Sequence, residues 1–214
     1  MTTKLQIYNT ALRYCKERPV TLTENREPRR LLDAVWADGG VDLCLEEALW
    51  KFAIKAVRID YDPSVVREFG FTYAFEKPSD WKMTAAVCSD EYYSEPLLRY
   101  AHENGYWYSD LDTLYVKFVS NAVDYGYDLS IWPQSFSNYV SAHFANEIVD
   151  KLSGGNEQTV ARVERHLKDN KANAKNRDAM NQPQLFPAPG NWVRSRSRLR
   201  GDNRDRGNRG SLIG

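Results

Sequence analysis

The chain has 214 residues, 42% of them hydrophobic, which suffices for one sizeable core and excludes more than two domains. No stretch approaches the roughly 18 apolar residues of a membrane span, and no signal-like segment opens the chain, so the expectation is a soluble globular protein. The formal net charge of zero conceals a division: residues 191–214 hold seven Arg against two Asp, a balance of +5, while the remainder holds 22 basic and 27 acidic residues, a balance of −5.

Thr3 followed by Gln6 has the form of a capping box. Leu5, Tyr8, Leu12 and Cys15, with Ile7, Ala11 and Tyr14, give an apolar face that predicts a helix over 3–18, closed by Pro19. Pro28 in a first turn, then Leu31, Leu32, Val35 and Trp36, predict a second helix over 28–38, stopped by Gly39 and Gly40. Val41, Cys44, Leu45, Ala48, Leu49 and Phe52 recur at helical spacing and predict a third over 41–54. Segments this short persist only in a shared core, where burying each large apolar side chain contributes roughly 1.5–3 kcal/mol, so the three are expected to form one bundle.

The period then changes to two. Residues 55–61 and 69–75 alternate, 83–87 is a third β segment, and 98–103 and 106–108 flank Asn104-Gly105, a pair that supplies the positive φ angles of a two-residue hairpin turn. Residues 114–119 complete a β-rich insertion over 55–130. Beyond Trp132-Pro133 the helical period returns with Phe136, Val140, Phe144, Ile148 and Leu152, predicting a helix over 133–153 that ends at Gly154-Gly155. A last helix, 156–177, has Val160, Val163 and Leu167 on one side and turns polar past Lys168, so its second half is expected to be solvated, partner-bound or frayed. The fold class expected is α+β: a mainly helical bundle, body 1–180, with an inserted small β-rich subdomain and an extended basic C-terminal arm over 181–214.

Candidate chemistry is sparse. Cys15, Cys44 and Cys88 form an odd set without CxxC spacing, each inside an apolar pattern, which predicts reduced core thiols. His102, His143 and His166 fall in separate segments. His143 and Glu147 stand one helical turn apart, a spacing that can hold a metal, but metal-site helices usually pair two histidines or place a carboxylate beside further ligands, so a structural role is expected. Asp110-Leu111-Asp112 lacks the mid-loop Gly and closing Glu of a calcium hand, and it is read as a solvated turn; Ser89-Asp90-Glu91 is the other stretch that could suggest a cation loop. No GxSxG, Walker-type lysine loop, HExxH or dinucleotide glycine fingerprint occurs, so no catalytic residue, cofactor or metal is expected and the chain reads as a non-enzyme. Tyr92, Tyr93, Tyr100, Tyr106, Trp107, Tyr108 and Tyr115 are expected in core or subunit contacts rather than in a sugar or base platform.

The arm is the most informative segment. Pro183, Pro187, Pro189 and Gly190 oppose regular structure, and residues 192–214 offer little to bury, so alone it is expected to be disordered. Arg194, Arg196 and Arg198 alternate with Ser195 and Ser197; extended, this pattern sends three guanidinium groups to one side, between the apolar anchors Trp192 and Leu199. Two functions fit. The arm either folds onto an acidic protein groove, where Trp and Arg lead among binding hot spots, or neutralises phosphates as the arm of a nucleic-acid-binding protein.

Taken in order, several segments resemble the head-to-tail connector, or adaptor, proteins of tailed bacteriophages, including the tail tubular protein A type of short-tailed phages. They are the opening LQIYNTALRYCKERPVTL, the run LLDAVWADGGVDLCLEEALWKFAIKAVRI, the β-rich insertion, the Trp-Pro-led IWPQSFSNYVSAHFANEIVDKL and the closing PGNWVRSRSR. The resemblance spans nearly the whole chain and rests on order and spacing. It implies a structural virion protein of the head–tail interface, assembled in the host cytoplasm as a homo-oligomeric ring, usually of twelve subunits. Such a ring docks beneath the portal protein and offers its other face to the tail tube or nozzle protein, while viral DNA passes through the channel without specific binding. No cofactor or membrane is implied. Carried over, the tail that reaches between portal subunits falls on Trp192, Arg194, Arg196, Arg198, Leu199 and Arg200. The Arg-rich ending past Arg200 departs from the family pattern. A net-acid body suits a conduit that repels phosphate, which adds the expectation of acidic side chains toward the lumen.

Overall fold

The structure, a computed structural model, describes residues 2–21, 23–65, 70–94 and 96–181. The chain falls into two units, Met1–Met180 and Asn181–Gly214, and every element below belongs to the first. Among the described residues the fold is mixed α+β, with five α-helices and two three-stranded antiparallel sheets.

α1 (Lys4–Tyr14) begins with the expected capping box: Thr3 Oγ1 accepts from the Gln6 amide at 3.3 Å and Gln6 Oε1 accepts from the Thr3 amide at 3.0 Å. It ends short of residue 18. Lys16 takes a left-handed φ of +62°, and the amides of Lys16 and Glu17 return to the carbonyls of Arg13 and Leu12, a Schellman closure with lysine where glycine is usual. The chain then folds back along the helix, and Asn9 grips Val20 twice, accepting from its amide at 2.8 Å and donating to its carbonyl at 3.2 Å. Val20 is thereby buried, which continuing the helix would have prevented.

α2 (Glu27–Ala37) carries Pro28 in its first turn. Gly39, at φ +83°, turns the chain into α3 (Gly40–Leu45), and a Cβ on Gly40 would stand 2.8 Å from the Val35 carbonyl oxygen, so the two helices approach this closely only over glycine. The helix expected over 41–54 is corrected here. It stops at Leu45 because Trp50 turns its ring into the core, 1% exposed, and donates its indole N–H to the Cys44 carbonyl at 2.9 Å. Leu49, which helical spacing assigns to the apolar face, is 42% exposed. A 3₁₀ turn, Lys51–Ala53, leads directly into β1 (Ile54–Asp60).

α4 (Gln134–Ser153) is buried along Phe136, Val140, Phe144 and Ile148, with Tyr139, Ala145 and Val149 beside them, and α1, α2, α3 and α5 (Glu157–Met180) all pack on it. Phe136 meets the rings of Trp50, Phe52 and Trp132 at centroid distances of 4.8, 4.7 and 4.9 Å. The left-handed Gly154 ends α4 as expected.

In one sheet β6 (Thr113–Ser120) lies between β1 and β3 (Trp81–Cys88); in the other β5 (Tyr106–Ser109) lies between β2 (Tyr73–Glu76) and β4 (Ala101–Glu103). The β4–β5 hairpin turns on Asn104 and Gly105, both at positive φ. β2 starts later than expected, because Asp110 Oδ1 takes the Thr72 amide out of the ladder. The sheets face each other across Phe75, Val87, Trp107, Leu114, Val116 and Phe118, a core of their own. Its polar atoms are satisfied: the Trp81 and Trp107 indoles both donate to Thr84 Oγ1 at 3.0 Å. At the near end of the sheet Val119 and Met83 join the helical core instead. Lys55 and Ser120 both donate to Asp80, and Lys82 pairs with Asp42 at 2.9 Å, so charged ties flank that seam. Cys15, Cys44 and Cys88 are buried and unbridged, and burial pushes the first two thiols up to about 11 and about 12. No helix among the described residues is long and apolar enough to cross a membrane.

Trp50→Ala should remove about 3–5 kcal/mol of stability, read as a lowered urea midpoint, because it empties the space beside Phe136 and orphans the Cys44 carbonyl. Trp50→Phe, which keeps one ring but loses the indole bond and part of the buried volume, should cost less than Trp50→Ala, about 1–3 kcal/mol.

Candidate assembly interface

The arm residues carried over from the resemblance, Trp192, Arg194, Arg196, Arg198, Leu199 and Arg200, lie outside the described residues. What the structure does place is the element that leads to them. The polar second half of α5, expected to be solvated, partner-bound or frayed, is solvated on its outer side and docked along the other. Ala174 is buried, and Glu47, in the turn after α3, receives the ammonium groups of Lys171 at 2.7 Å and Lys175 at 3.3 Å. The Lys171 hydrogen bond, with Lys175 adding to it, holds the Glu47 carboxyl below the usual range. At the end of the helix the Lys51 amide donates to Asp178 Oδ1 at 3.1 Å, and the Lys51 ammonium donates to the carbonyls of Asp178 at 2.6 Å and Ala179 at 3.4 Å. A cation on the last carbonyls satisfies orphan acceptors and opposes the negative end of the helix dipole. The chain therefore passes into residues 182–214 from a helix end that is clamped by the 3₁₀ turn.

His143 and Glu147 are on α4. His143 lines a cleft of about 460 Å³ with Leu43, Glu47, Tyr139, Leu167 and Lys171, and its Nε2 is buried without a hydrogen-bond partner among the described residues. Burial pushes the imidazole below its ordinary value, against the opposing fields of Glu147 and Glu47. No group of three or more His, Cys, Asp or Glu among the described residues is arranged to hold a metal ion. Asp90 accepts from the Ser94 amide and hydroxyl and closes a local turn, whereas Asp110 accepts from the Thr72 amide and hydroxyl, 38 positions away, and ties two connections together.

The aromatic run does not form one surface. Trp107 and Tyr108 are buried, Tyr93 lies under the Lys117 ammonium at 3.8 Å, and Tyr92 is 81% exposed. With Leu98 at 94% and Val123 at 78%, Tyr92 puts large apolar groups in water on the connections of the β-rich part. Tyr92 is among the aromatics expected at core or subunit contacts; Leu98 and Val123 are further candidates that the sequence pattern does not single out. No protein-family model matches the chain, and no curated protein matches it.

Replacing Lys51 by Met should raise amide exchange over the last turn of α5 by roughly two- to five-fold, the effect of losing the about 0.3–1 kcal/mol of a cation at a helix C-terminus, with sheet amides unchanged. The His143 contribution to stability is complete above the unfolded imidazole value of about 6.5 and declines as the pH falls from there through the depressed folded value. The loss of urea stability between pH 7 and pH 5 should accordingly be smaller in His143→Gln than in the native chain.

Proposed function

We propose that this chain is a head-to-tail adaptor of a tailed bacteriophage: a structural, non-enzymatic virion protein whose copies close into a ring beneath the portal and connect it to the tail tube or nozzle. In this reading the helical layer is the principal body, a bundle around the DNA channel. The paired sheets are its insertion, and residues 181–214 are the arm that grips the portal.

The observation that supports this best is the clamp at the end of α5. Lys51 holds the last carbonyls of that helix, and the chain continues from it into a segment with a balance of +5, carrying Trp192 and Leu199 as apolar anchors. Ordering such a segment on a partner offsets roughly 2–5 kcal/mol of the gross interaction, so one copy holds weakly. Copies joined in a ring present the arm at high effective concentration, and avidity then exceeds single-arm affinity by about 10²–10⁴. Tyr92, Leu98 and Val123 supply apolar area for contacts with a neighbouring copy or the tail-side partner.

The test is co-sedimentation and electron microscopy of the full chain with the portal protein of its own genome. Rings seated on the portal are expected, and they should be lost when residues 191–214 are removed or when Trp192, Arg194 and Arg196 are replaced together by Ala. Attachment that survives both changes refutes the reading. Salt-sensitive binding of random nucleic acid by the arm peptide, with no portal attachment, would replace it by the nucleic-acid-binding reading.

A further inference from the structure

We propose that the cleft between the end of α1 and the middle of α5 is an oxyanion site that takes a phosphate group. Arg13, Lys16, Arg162 and His166 line a space of about 510 Å³ there, and no Asp or Glu belongs to its lining. The ion pairs formed among the described residues involve none of these side chains. Three cations gathered without a carboxylate repel one another, and an anion between them removes that repulsion.

The geometry is built rather than incidental. Arg162 Nη2 donates to the Tyr14 carbonyl at 2.8 Å, which ties α5 to the end of α1 with one of the five guanidinium hydrogens and leaves the others for a ligand. Arg13 Nη2 is steered by Thr10 Oγ1 at 3.1 Å. The rings of Tyr14 and His166 stack with centroids 4.9 Å apart and planes at 28°, a flat wall beside the cations. Lys16 sits at φ +62°, where glycine would be unstrained; the lysine costs conformational energy, and what it brings is a third cation at the cleft. Donors arriving from the last turn of α1, from its closing turn and from α5 suit a tetrahedral oxyanion, with oxygens on several sides, better than a planar carboxylate. Inorganic phosphate and the backbone of nucleic acid are the two sources of that chemistry. The inference does not depend on the ring or on the arm.

The experiment follows the imidazole signals of the full chain by NMR while sodium phosphate, or a short random-sequence duplex, is added at low salt. The signal of His166 should move saturably while those of His102 and His143 stay fixed, a readout that binding by the arm does not produce. Lys16→Gly alone should melt at the same or a higher temperature, and together with Arg13→Gln it should weaken the titration at least about ten-fold. Lys168→Gln, on the exposed side of α5, should leave it unchanged. Response to phosphate assigns a free oxyanion as the ligand, and response to the duplex alone assigns a nucleic-acid backbone. A stationary His166 with both probes, undiminished binding by the double variant, or equal weakening by Lys168→Gln overturns the proposal.

Discussion

The bond from the Trp50 indole to the Cys44 carbonyl decides where the helical layer ends and the sheet begins. A ring as large as Trp can be buried only if its N–H finds an acceptor, and the acceptor it finds is a carbonyl freed by the end of α3. Each group resolves the other's deficit. Because the ring is drawn inward at this point, the next residues must tighten into a 3₁₀ turn, and β1 leaves in the direction that places Val119 of its neighbour β6 against the helices. The same turn carries Lys51 to the end of α5, and the short connection before it carries Glu47 to Lys171 and Lys175. Sheet, helix end and junction thus share one eight-residue stretch, 46–53.

What holds α5 differs from what holds α4. α4 is fixed by aromatic and aliphatic burial on nearly every side, whereas the last turns of α5 rely on partly exposed ion pairs worth about 0–1 kcal/mol each, on Lys51 and on one buried Ala. The outer end of that helix is therefore held by polar ties where α4 is held by burial, and it is also the part that leads to the arm.

Much of this was legible in the residues. The Thr3–Gln6 box, the Asn104-Gly105 turn, the helix after Trp132-Pro133 and its stop at Gly154 each rest on a local rule that tertiary structure did not override. The third helix is right as far as Leu45, where Val41, Cys44 and Leu45 are buried as their spacing predicts; past it Leu49, on the same stripe, is exposed and Trp50, off the stripe, takes the core. Periodicity records where apolar residues stand, not which of them wins the core. The docking of α5 past Lys168 was invisible for the opposite reason, since its partners are charged and its one buried residue is Ala174. The basic cleft joins residues nearly 150 positions apart and depends on a left-handed Lys16, so neither its assembly nor its strain could be read in advance.

The charge division of the chain acts over shorter distances than its sum implies. At physiological ionic strength the screening length is about 8 Å, so a phosphate near the body responds to the side chains within that radius and hardly at all to a balance of −5 spread over 180 residues or more. A net-acid body is therefore not uniformly repulsive: the field at the cleft lined by Arg13, Lys16 and Arg162 is set mainly by the charges beside it. In the proposed conduit, the acidic character that lets DNA slide has to reside in the particular residues facing the lumen. A basic cleft on another side of the subunit then leaves sliding unaffected, whereas the same cleft turned inward would act as a brake.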